Sequence, residues 1–232
     1  MAAPKISDER LYVALDLPSI AQARAMVETL GDAVESYKVG LQLLPLGGAE
    51  FGQELKAMGK NVFYDFKLHD IGATVEKATR SISGLGADLL TVHARPDVML
   101  SAATGRGASE LKILGVTVLT SLDKQALEDI GYHDSAEDLV MRRVEQALEA
   151  GIDGVVSSPL EAGKIRKAVP DDFLVVTPGI RMPDGDKGDQ KRIATPGDAL
   201  RSGASHIVVG RPITAAKDPS QAALGVLANM RA

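Results

Sequence analysis

Short apolar runs alternate with amphipathic stretches along the whole chain, and this rhythm constrains the fold more than any other feature. Strands are predicted at Leu11–Leu15, Ser36–Val39, Asn61–Lys67, Asp88–His93, Lys112–Thr120, Gly154–Ser157, Phe173–Thr177 and His206–Val209. Helices are predicted at Ser19–Leu30, Gly48–Met58, Ile71–Gly84, Asp97–Ala108, Ser135–Ala150, Leu160–Ala168, Pro196–Ser202 and Ser220–Met230. Pro18-Ser19 is a start signal for the first helix, and Gly31 follows its end. Ser135 offers a capping oxygen, with Glu137 and Asp138 in the first turn and Gly151 beyond the last. Strands that alternate with helices run parallel, because each helix carries the chain back to the edge where the last strand began. The spacing is even and shows no linker, which favours closure over an open doubly wound sheet. The predicted fold is α/β, a single (β/α)8 TIM barrel, with residues 1–232 as one domain; 232 residues fit the roughly 200–250 such barrels occupy.

Composition narrows what the barrel can do. Aromatic residues are only 3% of the chain, so the core must be built from Val, Leu, Ile and Ala. The net charge of −5, with no basic stripe, argues against a nucleic-acid partner. Cysteine is absent, which removes disulfides, thiolate metal sites and thiol nucleophiles. No apolar run approaches the ~18 residues of a membrane span, and Met-Ala-Ala-Pro-Lys-Ile-Ser-Asp-Glu-Arg carries no secretory signal. A cytoplasmic protein is expected.

The run Asp65-Phe66-Lys67-Leu68-His69-Asp70 is the chemically richest segment. Val62, Tyr64, Phe66 and Leu68 form an apolar face suited to the helix-covered outside of a barrel, so Phe63, Asp65 and Lys67 point inward. An acid and a base two residues apart inside a barrel are costly to desolvate. They are either a structural ion pair or part of a site at the strand's C-terminal end, where barrel active sites are built. Asp16 at the end of the first strand and Lys38 in the second favour the site, since four charges then share one rim. Asp70 precedes a helix and on spacing alone is as well explained as its cap. His69 lacks any metal-ligand spacing around it and is expected in solvent or behind the site.

Residues Thr177 to Arg192 follow the seventh strand as a loop rich in Gly, Pro and charge, with no apolar period. Loops this long in compact domains commonly bind or cover ligands, and barrels often hold phosphate after strands seven and eight. Arg211 in Val-Val-Gly-Arg-Pro is placed to chelate phosphate oxygens, and Gly210 before it lets the backbone approach. Arg181 and Gln190 are either further anion contacts or ordinary loop polarity.

The motif Asp65-x-Lys67-x-x-Asp70-Ile71 resembles the signature of the orotidine 5′-phosphate decarboxylase family. The likeness extends to Val13-Ala14-Leu15-Asp16, Tyr37-Lys38-Val39-Gly40, Thr177-Pro178-Gly179-Ile180-Arg181 and Val209-Gly210-Arg211-Pro212. The resemblance implies a cofactor-independent, metal-free lyase that converts orotidine 5′-phosphate to UMP and CO2. Under it Lys67 is the proton donor, flanked by Asp65 and Lys38, and Asp16 and Lys38 also meet the ribose hydroxyls. Thr120 and Ser121 face the pyrimidine, while Pro178, Arg181, Gln190, Gly210 and Arg211 belong to the phosphate-side segments. It also implies a homodimer in which Asp70, Ile71 and Thr74 reach the partner's site, replacing the cap reading of Asp70. Related barrels that act on β-keto sugar phosphates with Mg2+ share the short Asp-x-Lys-x-x-Asp pattern but carry an acidic metal ligand where this chain has Lys38. A non-catalytic nucleotide-binding barrel is the other alternative, and its interior charges would be costly without a reaction to serve.

Overall fold

The computed structural model describes residues 6–183 and 192–232. Eight parallel strands close into a barrel in sequence order: β1 (Leu11–Ala14), β2 (Ser36–Gly40), β3 (Asn61–Leu68), β4 (Leu89–His93), β5 (Lys112–Val116), β6 (Gly154–Val156), β7 (Leu174–Thr177) and β8 (His206–Val209). The last strand pairs with the first, Tyr12 lying against Val208, so the sheet has no free edge. The helices are α1 (Ile20–Leu30), α2 (Gly48–Ala57), α3 (Gly72–Ser83), α4 (Pro96–Arg106), α5 (Lys124–Asp129) and α6 (Ala136–Glu149). They continue with α7 (Ala162–Ala168), α8 (Pro196–Arg201), α9 (Arg211–Thr214) and α10 (Pro219–Met230). None of the described helices is long and apolar enough to cross a membrane.

The caps read from sequence form. Ser19 accepts from the Gln22 amide at the head of α1, and Ser135 accepts from the Asp138 amide at the head of α6. Gly151, at φ 68°, turns the chain after α6 through a conformation that a side chain would strain. Two short helices escape the periodicity. α5 is capped by Asp123, whose side chain accepts from the Ala126 amide, and α9 follows Gly210 directly. The fifth strand is shorter than its apolar run: pairing with β6 ends at Val116–Val156, and residues 117–123 turn over the mouth instead.

Strand alternation divides the core in two. Val13, Tyr37, Val39, Val62, Tyr64, Phe66, Leu90 and Val92 pack outward against the helices. Tyr12, Ala14, Phe63, Leu89, Leu114, Val176 and Val208 fill the interior. The bulk at the lower end, including the edge-on Tyr12–Phe63 pair, makes the interior a packed plug rather than a pore.

His206 sits in this lower layer, its ring 5.9 Å from that of Tyr12 and its Nδ1 3.0 Å from Ser205 Oγ. Burial, with Lys112 and Arg10 nearby, pushes its pKa down to about 4. The unfolded chain therefore takes up a proton near pH 6.5 that the folded chain refuses until about pH 4. More protons bound in the unfolded state means stability that falls as pH falls through this window, by up to about 3 kcal/mol for a gap of this size. Urea titrations at pH 7 and pH 4.5 should show a smaller loss in His206→Gln than in the parent; equal losses would remove His206 as the cause.

Candidate active site

The barrel's C-terminal mouth opens into a cavity of about 520 Å3. Its floor is the upper surface of the interior plug, Phe63, Val156 and Val208, and its walls carry the charges. On one side lies a row of alternating sign. Lys38 Nζ is 3.0 Å from Asp16 Oδ1 and 3.3 Å from Asp65 Oδ2, and Lys67 Nζ is 2.8 Å from Asp65 Oδ1. The four members come from three neighbouring strands: Asp16 just past β1, Lys38 on β2, and Asp65 and Lys67 both on β3. The inward parity of Asp65 is the one its sequence position required, since Phe63 below it is interior and Tyr64 is exterior.

Burial of Lys38 and Asp65 makes the middle of the row electrostatically strong. Burial alone would pull Lys38 down, but Asp65 and Asp16 beside it hold its ammonium above the usual lysine value. Burial would likewise raise the Asp65 carboxyl, yet Lys38 and Lys67, with hydrogen bonds from Lys67 and Thr91, keep it below the usual carboxylate range. Both groups are therefore charged across the physiological range. Gly40 makes room for the Asp16–Lys38 pair: a Cβ there would lie 2.6 Å from Asp16 Oδ1 and 2.8 Å from Lys38 Nζ.

The opposite wall is built from the loops after β5, β7 and β8. Thr120, Ser121, Pro178, Arg181, Gly210 and Arg211 all line the cavity. Arg181 is buried, its amide donating to the Ala194 carbonyl at 3.0 Å and its Nη1 to the Ile180 carbonyl at 2.8 Å. Ile180 and Ala194 form a parallel bridge, which ties the two described roots of this loop together. Arg211 is the first residue of α9. Gln190 lies outside the described residues.

Asp70, Ile71 and Thr74 do not join this cavity. Asp70 is exposed and accepts from the Ile71 amide at 2.6 Å, while the residue in the N-cap position of α3 is Ile71 itself, without a side-chain cap. Among the described residues no ion pair links Asp70 to Lys67 of its own chain. Ile71 is 69% exposed, an unusual state for an isoleucine beside a charged mouth. His69 stands behind the row, its ring 4.9 Å from that of His93 and its Nε2 3.0 Å from Arg95 Nη1.

Sequence reasoning overlooked Thr91, which touches both Asp65 and the backbone of Lys67. Its signal was present: a hydroxyl at an inward position of Leu-Leu-Thr-Val-His, level with the charged strand beside it. Gln42 and Ser157, also in the lining, carried no such signal. Among the described residues no cluster of three or more His, Asp or Glu is arranged to hold a metal ion.

The row supplies fixed positive charge and one transferable proton at Lys67, and the far wall supplies two arginines suited to an anion. Comparison with known proteins places nearly the whole chain in one family. Residues 9–226 match the model of the family described as Orotidine 5′-phosphate decarboxylase / HUMPS family. An orotidine 5′-phosphate decarboxylase of Caulobacter sp. is 59% identical over 97% of this chain and 98% of its own length. One from Methylobacterium radiotolerans is 52% identical over 96% of each. The crystal structure of orotidine 5′-phosphate decarboxylase from Lactobacillus acidophilus superposes with a TM-score of 0.84 at 36% identity, covering 97% of this chain and 100% of that one.

Proposed function

The chain belongs to the orotidine 5′-phosphate decarboxylase / HUMPS family and decarboxylates orotidine 5′-phosphate to UMP and CO2, and from that premise we propose how its residues divide the work. The observation that carries the proposal is the unbroken row Asp16–Lys38–Asp65–Lys67 at the mouth of a closed barrel.

When the bond from C6 of the pyrimidine to the carboxylate breaks, its electron pair stays on C6 in an sp2 orbital outside the ring's π system. Delocalisation is poor, so a fixed cation at C6 is the physical remedy. Lys67 supplies it as a compact ammonium and then gives its proton to C6, yielding UMP. Asp65 aims the Lys67 ammonium through their 2.8 Å ion pair, and Lys38 on the far side of Asp65 limits the negative charge the substrate carboxylate meets. Asp16 and Lys38 hold the ribose hydroxyls, and Thr120 and Ser121 the polar edge of the base. Arg181, Gln190, Gly210 and Arg211 take the phosphate, with Gln190 also bridging toward the base and Pro178 lining the same side of the substrate. No cofactor has a part in these steps. A divalent ion between Asp16 and Asp65, as in a sugar-phosphate lyase, would meet the Lys38 ammonium that already bridges those carboxylates.

We also propose a homodimer in which Asp70, Ile71 and Thr74 complete the partner's site. The exposure of all three and the lack of any bond from Asp70 to its own Lys67 support this. Residues 1–232 then act as a single catalytic domain, and a nucleotide-synthesising role suits the cytoplasm.

One ammonium at ~4 Å is worth about 4 kcal/mol at an effective dielectric near 20, whereas enzymes commonly lower barriers by roughly 8–23 kcal/mol. Binding energy from the phosphate and ribose must supply much of the difference. Turnover of orotidine 5′-phosphate measured in EDTA should therefore be undiminished in the parent, and Arg211→Ala should lose on the order of 100-fold in kcat/KM despite its distance from C6. Inhibition by EDTA would restore the metal-lyase reading. An unaltered kcat/KM in Arg211→Ala would end the argument from remote binding energy.

A further inference from the structure

β3 and β4 lose register just where the charged row begins. Tyr64 pairs with Leu90 and Leu68 with Val92, so residues 65, 66 and 67 of β3 stand opposite Thr91 alone. Lys67 is the only described non-glycine residue with positive φ, at 49°. The left-handed region is unfavourable for a lysine and persists only where its surroundings hold it. Bulges beside active sites commonly re-aim a side chain, and this one decides where the Lys67 ammonium lies.

The bulge takes the Lys67 amide out of the ordinary ladder, and the fully buried hydroxyl of Thr91 meets it. Thr91 Oγ1 accepts from the Lys67 amide at 3.0 Å and donates to Asp65 Oδ1 at 2.9 Å. Neither direction can reverse: an amide only donates, and an ionised carboxylate only accepts. One hydroxyl thus fixes the kinked backbone under the lysine and the carboxylate that aims its ammonium. We propose that Thr91 is a positioning residue for the decarboxylation, setting the place of Lys67 through the bulge and through Asp65.

The proposal rests on the reading of Lys67 as proton donor, and its test is chosen to separate the two. Thr91→Val keeps shape and removes the hydroxyl; Thr91→Ser keeps the hydroxyl and removes a methyl group. Thr91→Val should lower kcat on the order of 10- to 100-fold with little change in KM, because substrate-gripping groups are untouched. The acid limb of kcat against pH should move to higher pH, since Asp65 loses a hydrogen bond that favours its charged form. The other titratable groups around Asp65 are Lys38 on β2, Lys67 on its own strand and Asp16 beyond Lys38, with His93, whose charged form burial disfavours, above Thr91 on β4; all four remain in the variant. Thr91→Ser should recover most of kcat and restore the limb.

If Thr91→Val cannot be folded, Thr91→Cys, with its weaker donor and acceptor, should fall between the parent and the loss predicted for valine. Parental kcat in Thr91→Val or Thr91→Cys overturns the proposal. So does an equal loss in Thr91→Val and Thr91→Ser, or a loss of stability with kcat and acid limb unmoved. Lys67→Ala, assayed alongside, distinguishes the premises: substantial turnover there sinks the role of Lys67, whereas an inactive Lys67→Ala beside an unimpaired Thr91→Val sinks only the role of Thr91.

Discussion

Lys67→Ala should abolish turnover of orotidine 5′-phosphate, by roughly 10⁵-fold or more, while nucleotide binding stays measurable. Two effects combine in that loss. General acid catalysis commonly contributes about 10²–10⁴-fold, and a preorganised charge at the developing anion about 10²–10³-fold. The substitution also leaves Asp65 facing the cavity with one of its two lysines gone, and a carboxylate paired with Lys38 alone repels an anionic substrate more strongly. UMP carries no carboxylate at C6, so its affinity should fall less than that of the substrate. Calorimetric titration with UMP beside a single-turnover assay separates the effects. Residual turnover within ~100-fold of the parent would assign the proton to another group.

Asp70→Ala should cost on the order of 1000-fold in kcat, the scale of one close charge pair at an effective dielectric near 20. The loss should also be repairable by mixing. A mixed dimer of an Asp70→Ala subunit with a Lys67→Ala subunit has one site built from two damaged halves and one built from two intact halves. Random reassortment of equal amounts therefore regains about one quarter of the parental activity, although each parent variant is nearly inert. This expectation follows from the exposure of Asp70 and from its bond to nothing but the neighbouring Ile71 amide among the hydrogen bonds described for its side chain. Mixtures no more active than their components, under conditions where subunits exchange, would return Asp70 to its own barrel.

Much of this molecule was legible before its coordinates, for identifiable reasons. The interior places of Asp65 and Phe63 follow from a period of two, which is a property of any strand covered on one side. The eightfold repeat of strand and helix gave closure, since nothing in it marked an edge. The run Lys112–Thr120 misled because apolar pattern reports burial, whereas a strand ends where its neighbour stops pairing, here at Val116. α9 is four residues long and no helical period can show in so few. The bulge under Lys67 left no trace, because a lysine at positive φ is chosen by its surroundings and not by its type. Thr91 was missed although its inward parity was readable, because that parity does not say that the neighbouring strand bulges and leaves the Lys67 amide for its hydroxyl to meet.

The pairing of β1 with β8 has a consequence for the order in which the enzyme comes into being. Asp16, Lys38, Asp65 and Lys67 leave the ribosome early, and Arg181 and Arg211 only near the end, although the two groups face each other across one cavity. A nascent chain that has delivered its first three strands already holds the acids and bases of the row. It has no opposite wall to shelter them and no purchase on phosphate. Contacts between the ends of a chain are slow to form, because loop entropy must be overcome before they contribute. The last strand to be made is therefore the one that turns a set of solvated charges into a site.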